Sequence, residues 1–574
     1  MKFDLEKIPF SMPDSFMALS EENNRIFIRS VRGHIATPLI AGLEFRQRGK
    51  KCRYFYEADP VELLIRAEET KIRICFADSD TLLIESESVE NNIECELFMN
   101  FDVAESFFDY IYEIPKEDGI HYMVNAAKNN CKYIISVQTG SAVVHQEWDE
   151  RKSNHAGISF HPYHGKLSFS FSEVKTEWDE KIRHYCYQES LELRQREFTE
   201  FYRSMPETPE KYEETRRMAA YINWSAFVRA DGFLTRRTMY MSKNQMCSVW
   251  SWDHCFNAMA LAYYRPREAW EQFILMFDQQ DMYGRIPDCL NDSEIIWNFC
   301  KPPIHGWALS KMMQHMTLSR QQKKEALDKL SKLTSWWFRY RDHDHDNICE
   351  YCHGNDSGWD NSTAFCALPP AELPDLQAFL ILQLEVMEGL ASDLGKELEA
   401  KTHHQKKEAV MQAMQKHCFL DNLPVAVSSG THKLIKNESL LLYETIILGK
   451  RLPTEICEKM IQVLKGEKFL TDYGYATESP SSINYQSDGY WRGPIWAPST
   501  MILLDGLQQC GEDELSVQVA EKFCDMIQKN GFAENFDALT GEGLRDRAYT
   551  WTASVFLVLA NEFLLDRSQT IPSK

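Results

Sequence analysis

Tryptophan recurs beside charged side chains at four places: Val249-Trp250-Ser251-Trp252-Asp253-His254-Cys255-Phe256, Cys300-Lys301-Pro302-Pro303-Ile304-His305-Gly306-Trp307, Gly354-Asn355-Asp356-Ser357-Gly358-Trp359-Asp360-Asn361-Ser362 and Tyr490-Trp491-Arg492-Gly493-Pro494-Ile495-Trp496. A fifth segment, Gly531-Phe532-Ala533-Glu534-Asn535-Phe536-Asp537, sets a carboxylate between two aromatics. This mixture suits sugars, whose apolar ring faces stack on aromatic planes while their hydroxyls demand charged or amide partners. Breaking a glycosidic bond takes two carboxyl groups. One protonates the leaving oxygen, and the other activates water or attacks directly. Asp360 and Glu534 are the pair on offer. Trp359 beside Asp360 would exclude water and favour the protonated form that an acid needs. Among 85 acidic residues, spacing alone selects neither.

The elements that must position these segments fall into two parts. Residues 1–175 read as β-rich. Leu167-Ser168-Phe169-Ser170-Phe171 alternates apolar and polar, and Arg25–Arg29, Lys71–Phe76 and Tyr133–Val137 are strand-like, with turn residues at Asp118-Gly119 and Thr139-Gly140. An antiparallel β-sandwich is expected there. A charged helical linker follows over 176–205. From 206 to 574 strand patterns nearly vanish, and about twelve helices are expected near 207–229, 253–264, 266–279, 304–318, 320–341, 372–394, 396–417, 437–448, 453–465, 494–510, 512–529 and 547–566. Ala326, Leu327, Leu330, Leu333 and Trp337 share one helical face. Pro209 and Pro266 sit where a fixed φ suits a helical entry. Twelve paired helices are the count of an (α/α)6 barrel, so the fold class expected is mainly α. Long loops at 280–303, 342–371 and 466–493 interrupt the pairs, and loops of that length in a compact domain are usually functional.

Composition narrows the partners. The 574 residues are 44% hydrophobic and 26% charged, an ordinary globular balance. A net charge of −22 repels phosphate backbones and anionic lipid, which disfavours nucleic acid. The start, Met1-Lys2-Phe3-Asp4-Leu5-Glu6-Lys7, lacks the apolar run of a signal peptide, and no stretch reaches the roughly 18 apolar residues that span a bilayer. A cytoplasmic protein acting on a small neutral substrate is expected, with its 16 cysteines as free thiols.

Trp252-Asp253, Pro302-Pro303, Gly358-Trp359-Asp360-Asn361-Ser362, Tyr490 through Trp496 and Glu534-Asn535 occur in this order. The set resembles the inverting α-glycosidases of glycoside hydrolase family 63, which include processing α-glucosidases and bacterial mannosylglycerate and glucosylglycerate hydrolases. Trehalases are similar at several of these places. However, Lys243-Asn244-Gln245-Met246-Cys247-Ser248 stands where a trehalase has a glycine-rich signature. The resemblance covers about residues 206–566. It implies Asp360 as general acid, Glu534 as general base, and inverting, exo-acting hydrolysis of an α-linked glucoside without a required cofactor. It also implies that Trp252, Asp253, Trp491, Arg492 and Trp496 line the subsite for the non-reducing sugar. Gly358 and Trp359 join the substrate-binding set by position. His305 either meets substrate at the rim or fixes the turn after Pro302-Pro303. Arg492 either meets substrate or forms a structural salt bridge. Trp250 and Trp307 are assigned to core packing.

Two other classes fit the same features. A disaccharide phosphorylase can share the layout but needs a phosphate site and no catalytic base. A carbohydrate-binding protein would keep the tryptophans without needing both carboxylates. Three metal or cofactor signals also stand in the sequence. Cys349-Glu350-Tyr351-Cys352-His353 matches the haem attachment spacing, which requires export. Zinc could draw on His343, His345, Cys349, Cys352 and His353. Asp342-His343-Asp344-His345-Asp346 resembles half a calcium loop, but Asn347 and His353 stand where an EF-hand has Gly and Glu. An irregular structural calcium site at Asp342–Asp346 is the reading left open.

Overall fold

The computed structural model describes residues 1–33, 39–88, 95–101, 109–117, 119–127, 130–176, 178 and 185–565. Asp118 and parts of the expected linker and C terminus (177, 179–184 and 566–574) lie outside the described residues. The chain divides into two compact units. The first comprises Met1–Arg203, Trp224–Arg229 and Ser242–Cys247, and the second comprises Ser204–Asn223, Ala230–Met241 and Ser248–Lys574.

In the first unit, alternating side chains build two antiparallel sheets. One has the spatial order Met17–Glu22, Arg25–Ser30, Leu39–Gln47, Glu96–Phe101, Lys152–His161, Ser141–Asp149, with Lys50–Lys51 paired to Leu39–Gln47. The other runs Tyr110–Lys116, Gly119–Ala126, Cys131–Thr139, Lys166–Val174, Thr81–Ser88, Thr70–Asp78, Leu63–Ala67, Tyr54–Ala58. The alternation read at Leu167–Phe171 places Phe169 inside, where it stacks at 4.1 Å on Phe160 of the other sheet. At Gly140 the chain leaves one sheet for the other. Its φ of +95° suits glycine, and a Cβ there would sit 2.6 Å from the His161 carbonyl oxygen. Ser242–Cys247 joins this unit because the buried Lys243 ammonium donates to Ser11 Oγ (3.2 Å), Met12 O (2.9 Å) and Ser15 O (2.8 Å). The linker helix, α1, spans Tyr187–Arg203 and belongs to this unit.

The second unit is helical. Its helices are α2 (Glu213–Ser225), α3 (Asp253–Leu261), α4 (Pro266–Asp278), α5 (His305–His315), α6 (Arg320–Tyr340), α7 (Pro374–Asp393), α8 (Glu397–His417), α9 (Thr454–Lys465), α10 (Ala497–Gln509), α11 (Asp513–Asn530) and α12 (Thr550–Leu559). The run expected as a helix near 437–448 is a 3₁₀ helix over Leu440–Arg451, interrupted at Gly449 (φ +53°). Leu440–Gly449 is buried throughout, so it carries no one-sided stripe that fixes a 3.6-residue period. Pro209 precedes a single 3₁₀ turn (Glu210–Tyr212), and Pro266 is the first residue of α4. Short two- and three-residue strands also occur, such as Ala426–Ser428 with Lys433–Ile435, too brief to alternate visibly in sequence.

Burial separates the helices into two kinds. Every residue of α3 and α12 is buried, and nearly every residue of α10, whereas α8 buries only Ala400, Val410 and Met414. A helix apolar on all sides must be surrounded by others. The surrounded set touches in sequence: α3 with α5, α5 with α7, α7 with the 3₁₀ helix, that helix with α10, α10 with α12, and α12 with α3. The three long loops each lead into one of these surrounded helices, which brings their chemistry-bearing residues to the helix N-terminal ends.

Candidate active site

Asp356 organises the first part of the site. Its buried carboxylate accepts from the backbone N–H of Cys300 (3.1 Å) and of Cys352 (2.9 Å), tying loop 280–303 to loop 342–371. Lys301 is thereby aimed inward. Its ammonium donates to Asn355 O (2.9 Å) and lies 3.3 Å from Asp288 and 3.9 Å from Asp360. Asn355 faces Asp360, with amide-to-carboxylate distances of 2.5 and 3.1 Å when its nitrogen points at the oxygens. Burial pushes the Asp360 carboxyl above the usual range. Lys301 opposes this and Asp288 adds to it. Asp253, the first residue of α3, is fully buried, and that burial holds it well above a normal carboxyl despite Lys301.

Gly358 shows why this turn needs glycine. Its φ is +75°, and a Cβ would lie 2.6 Å from the Trp252 ring. The next residue, Trp359, stacks on Trp491 (4.6 Å), which stacks on Trp496 (3.9 Å, 6° between planes). Trp252 lies 6.2 Å from Trp491, and Trp551 edges both Trp252 (5.7 Å) and Trp496 (5.6 Å). All five indoles are at least 97% buried; Trp359, Trp491 and Trp496 stack, Trp252 tilts against Trp491 and Trp551 packs edge-on, and together they prop the loops.

Asn361 joins this part to loop 466–493. Its amide donates to Gly489 O (3.0 Å), its Oδ1 accepts from Trp491 N–H (3.0 Å), and its carbonyl accepts from Arg492 Nε (2.6 Å). The Arg492 guanidinium is thus held on a backbone carbonyl of the neighbouring loop. Tyr490, held at φ +64°, donates its hydroxyl to Glu534 Oε1 (3.1 Å). Burial and the Asp546 charge push Glu534 up to about 7, against the Tyr490 hydroxyl and Arg545. The Arg545 guanidinium covers the Tyr490 ring at 4.8 Å and pairs with Asp488 at 2.6 Å. The Tyr490 phenol is itself held up by burial and then by Glu534, Asp360 and Asp253, so the carboxyl groups of three separate segments act on one hydroxyl.

The structure therefore gathers Trp252, Asp253, Gly358, Trp359, Asp360, Trp491, Arg492, Trp496 and Glu534. His305 is the correction. It is fully buried, with its ring 5.3 Å from His254 and 5.1 Å from Phe277, and burial keeps it neutral. It packs behind the site and meets no rim. Trp307 is in the core as expected, donating to Asp505 at 2.7 Å, while Trp250 is half-buried. Sequence reasoning missed Asp288, Lys301, Asn361 and Tyr490 as site-builders, although the last three lie inside segments singled out for their tryptophans. The cysteine-based zinc set does not assemble. Among the described residues, no grouping of metal-ligating atoms contains His343, His345, Cys349, Cys352 or His353.

A family model described as the mannosylglycerate hydrolase MGH1-like glycoside hydrolase domain matches residues 246–552, more than half of the chain and all of the loops just described. The chain belongs to that family. The relationship to glycoside hydrolase family 63 read from the five motifs stands, and the protein is a glycosidase of that type. Among similar proteins in this group, the mannosylglycerate hydrolase of Rubrobacter radiotolerans is 22% identical over 400 residues, 54% of this chain and 89% of that one. The glucosylglycerate hydrolase of Mycolicibacterium hassiacum is 20% identical over 405 residues, 54% of this chain and 91% of that one. The solved family 63 mannosylglycerate hydrolase from Thermus thermophilus, in complex with glucose, aligns with a TM-score of 0.52 at 15% identity, over 59% of this chain and 98% of its own. A bacterial glucoamylase in complex with acarbose aligns with a TM-score of 0.65 at 11% identity, over 97% of this chain and 94% of its own. That second likeness takes in the antiparallel sheets as well as the helices. Among the described residues, no helix is long and apolar enough to cross a membrane.

Proposed function

We propose that the protein is an inverting, exo-acting α-glucosidase-type hydrolase of a small glucoconjugate, built on an (α/α)6 barrel of six inner and six outer helices. The observation that carries the reading is the Tyr490 hydroxyl, bonded to Glu534 and within electrostatic reach of Asp360. Asp360, raised by burial, gives its proton to the departing glycosidic oxygen. Glu534 takes a proton from a water that attacks the anomeric carbon from the opposite face, so an α-glycoside releases a β-sugar. In that geometry the carboxyl groups stand about 6.5–9.5 Å apart, leaving room for the water. A base with a pKa of about 7 suits catalysis near neutrality. Lys301 and Asn355 orient Asp360, and Tyr490 orients Glu534. The names of the relatives put glucosylglycerate and mannosylglycerate first among conjugates to try. Sixteen free thiols fit a reducing, cytoplasmic setting.

The test is a panel of α-glucosides, α-mannosides and glycosylglycerates, followed by proton NMR of the first-formed anomer. The β-anomer is expected first, and an α-anomer overturns inversion. Asp360→Asn and Glu534→Gln should each lose about 10²–10⁴-fold in turnover. With an α-glucosyl fluoride, whose leaving group needs little protonation, Asp360→Asn should recover and Glu534→Gln should not. Near-native turnover in either variant on ordinary glucosides removes that residue from its role.

A further inference from the structure

A second cluster of chemistry-bearing side chains lies at the two ends of loop 342–371, away from the tryptophan stack. Asp342, Asp344 and Asp346 open the loop and bring one carboxylate oxygen each within 4.8 Å of one another. Glu372 closes the loop, on a short strand paired with Ala426–Ser428. Two histidines arrive from elsewhere: His417 ends α8, and His432 stands between the strands Ala426–Ser428 and Lys433–Ile435. The His432 Nε2 atom is 3.0 Å from Asp346 Oδ2, 3.3 Å from Glu372 Oε2 and 3.7 Å from Asp344 Oδ2, and His417 Nε2 is 3.8 Å from Asp346 Oδ2.

These contacts are not hydrogen bonds. His432 Nε2, Asp346 Oδ2, Asp342 Oδ1 and both oxygens of Glu372 are buried atoms without a hydrogen bond of standard geometry, and Glu372 as a whole is 0% exposed. Carboxylates crowded together in this way repel one another. The nearby ammonium of Lys406 is turned to Asn347 Oδ1 (2.8 Å) and the Phe338 ring (3.8 Å). Glu350 is taken up by His343 and Ser429. Donors at a tetrahedral metal centre with bonds of about 2.0–2.1 Å lie about 3.3 Å apart, close to the distances from His432 to Asp346 and to Glu372.

We propose that Asp344, Asp346, Glu372 and His432, with His417 alongside, bind a divalent transition-metal ion of the zinc class. The imidazole nitrogens decide the class. Calcium and magnesium take oxygen ligands, whereas nitrogen beside carboxylate suits zinc, manganese and cobalt. The aspartate spacing was the visible half of the site, and it suggested calcium. The other half comes from residues 26 to 86 positions further on, whose arrival changes the donor set. The ion would fasten Asp344 and Asp346 to Glu372, the two ends of the segment that carries Asp360. It is a positioning device, and its binding stands whatever role Asp360 proves to have.

The test strips the full-length protein with a chelator and titrates it separately with Zn²⁺, Co²⁺ and Ca²⁺. Calorimetry, elemental analysis after desalting and thermal melting are read. One equivalent of Zn²⁺ should be retained, with a raised Tm, and Co²⁺ should give visible absorption bands. Glu372→Gln should keep the far-UV circular dichroism of the stripped wild type while losing zinc. His432→Gln should lose zinc and the cobalt bands. Turnover should fall on stripping and return with zinc in the wild type alone. Retention of no metal overturns the proposal. So does binding of calcium alone, or zinc binding that both variants keep.

Discussion

Tyr490→Phe isolates what one hydroxyl does to the proposed base. In the folded protein Glu534 is pushed up to about 7 by burial first and by Asp546 next, while the Tyr490 hydroxyl (3.1 Å) and Arg545 pull it down. A hydrogen bond to a charged group is worth about 1.5–3 kcal/mol, and one pKa step corresponds to about 1.36 kcal/mol. Removing the hydroxyl should therefore raise the Glu534 pKa by about one to two units. A base works ionised, so activity rises as pH climbs through its pKa. The rising limb of kcat/KM should move from near pH 7 to about pH 8–9. At pH 6.5 the variant should lose about 10–100-fold against wild type, and the loss should shrink as pH rises past the new limb. The assay is kcat/KM from pH 4.5 to 10 on the best substrate of the panel. A uniform drop with an unmoved limb would show that Tyr490 acts on substrate and not through Glu534. A limb displaced toward acid would refute the electrostatic account altogether.

Three further outcomes follow from the same geometry. Glu534→Gln should be inactive yet more stable at alkaline pH. A carboxyl raised from 4.5 to about 7 costs the ionised fold up to about 3 kcal/mol, absent below pH 4.5 and full above pH 7, so calorimetry should show a higher Tm than wild type at pH 8 and none at pH 4.5. Gly358→Ala should cost about 1–3 kcal/mol through its φ of +75° and its approach to Trp252, and it should lower kcat well beyond what the loss in Tm explains. Asn361→Ala leaves Trp491 N–H without its partner, while Gly489 O keeps the Arg492 N–H, at about 1–3 kcal/mol, and should reduce kcat more than it raises KM.

What could be read without coordinates divides along physical lines. Helices such as α6 and α9 carry one buried stripe, so their period is written in the sequence. The 3₁₀ helix Leu440–Arg451 is buried on all sides and leaves no stripe to read. The five Trp-bearing or carboxylate-bearing segments were legible because stacking and charge must coexist in a short stretch. Their internal logic was not. Nothing distinguishes Asp356, which pins two backbones, from dozens of solvated aspartates until the loops are folded together. Tyr490 looked like another aromatic, and only its left-handed backbone turns the hydroxyl onto Glu534. His305, left open between the rim and the turn, fails as a rim residue for the opposite reason. Beside Pro302-Pro303 it resembles a rim residue, but the helix starts at that very position and carries the ring into the core.

The sheets of the first unit and the early helices can emerge from the ribosome and fold while Glu534 is still untranslated. Until then Lys301 can gather Asp288 and Asp360, but the Trp359–Trp491–Trp496 stack waits for the third loop and the proposed base arrives later still. A polypeptide arrested between residues 497 and 533 thus carries Trp252, Trp359, Trp491 and Trp496 but neither Trp551 nor the proposed base. Nascent chains on stalled ribosomes would hold the framework of an enzyme without its turnover.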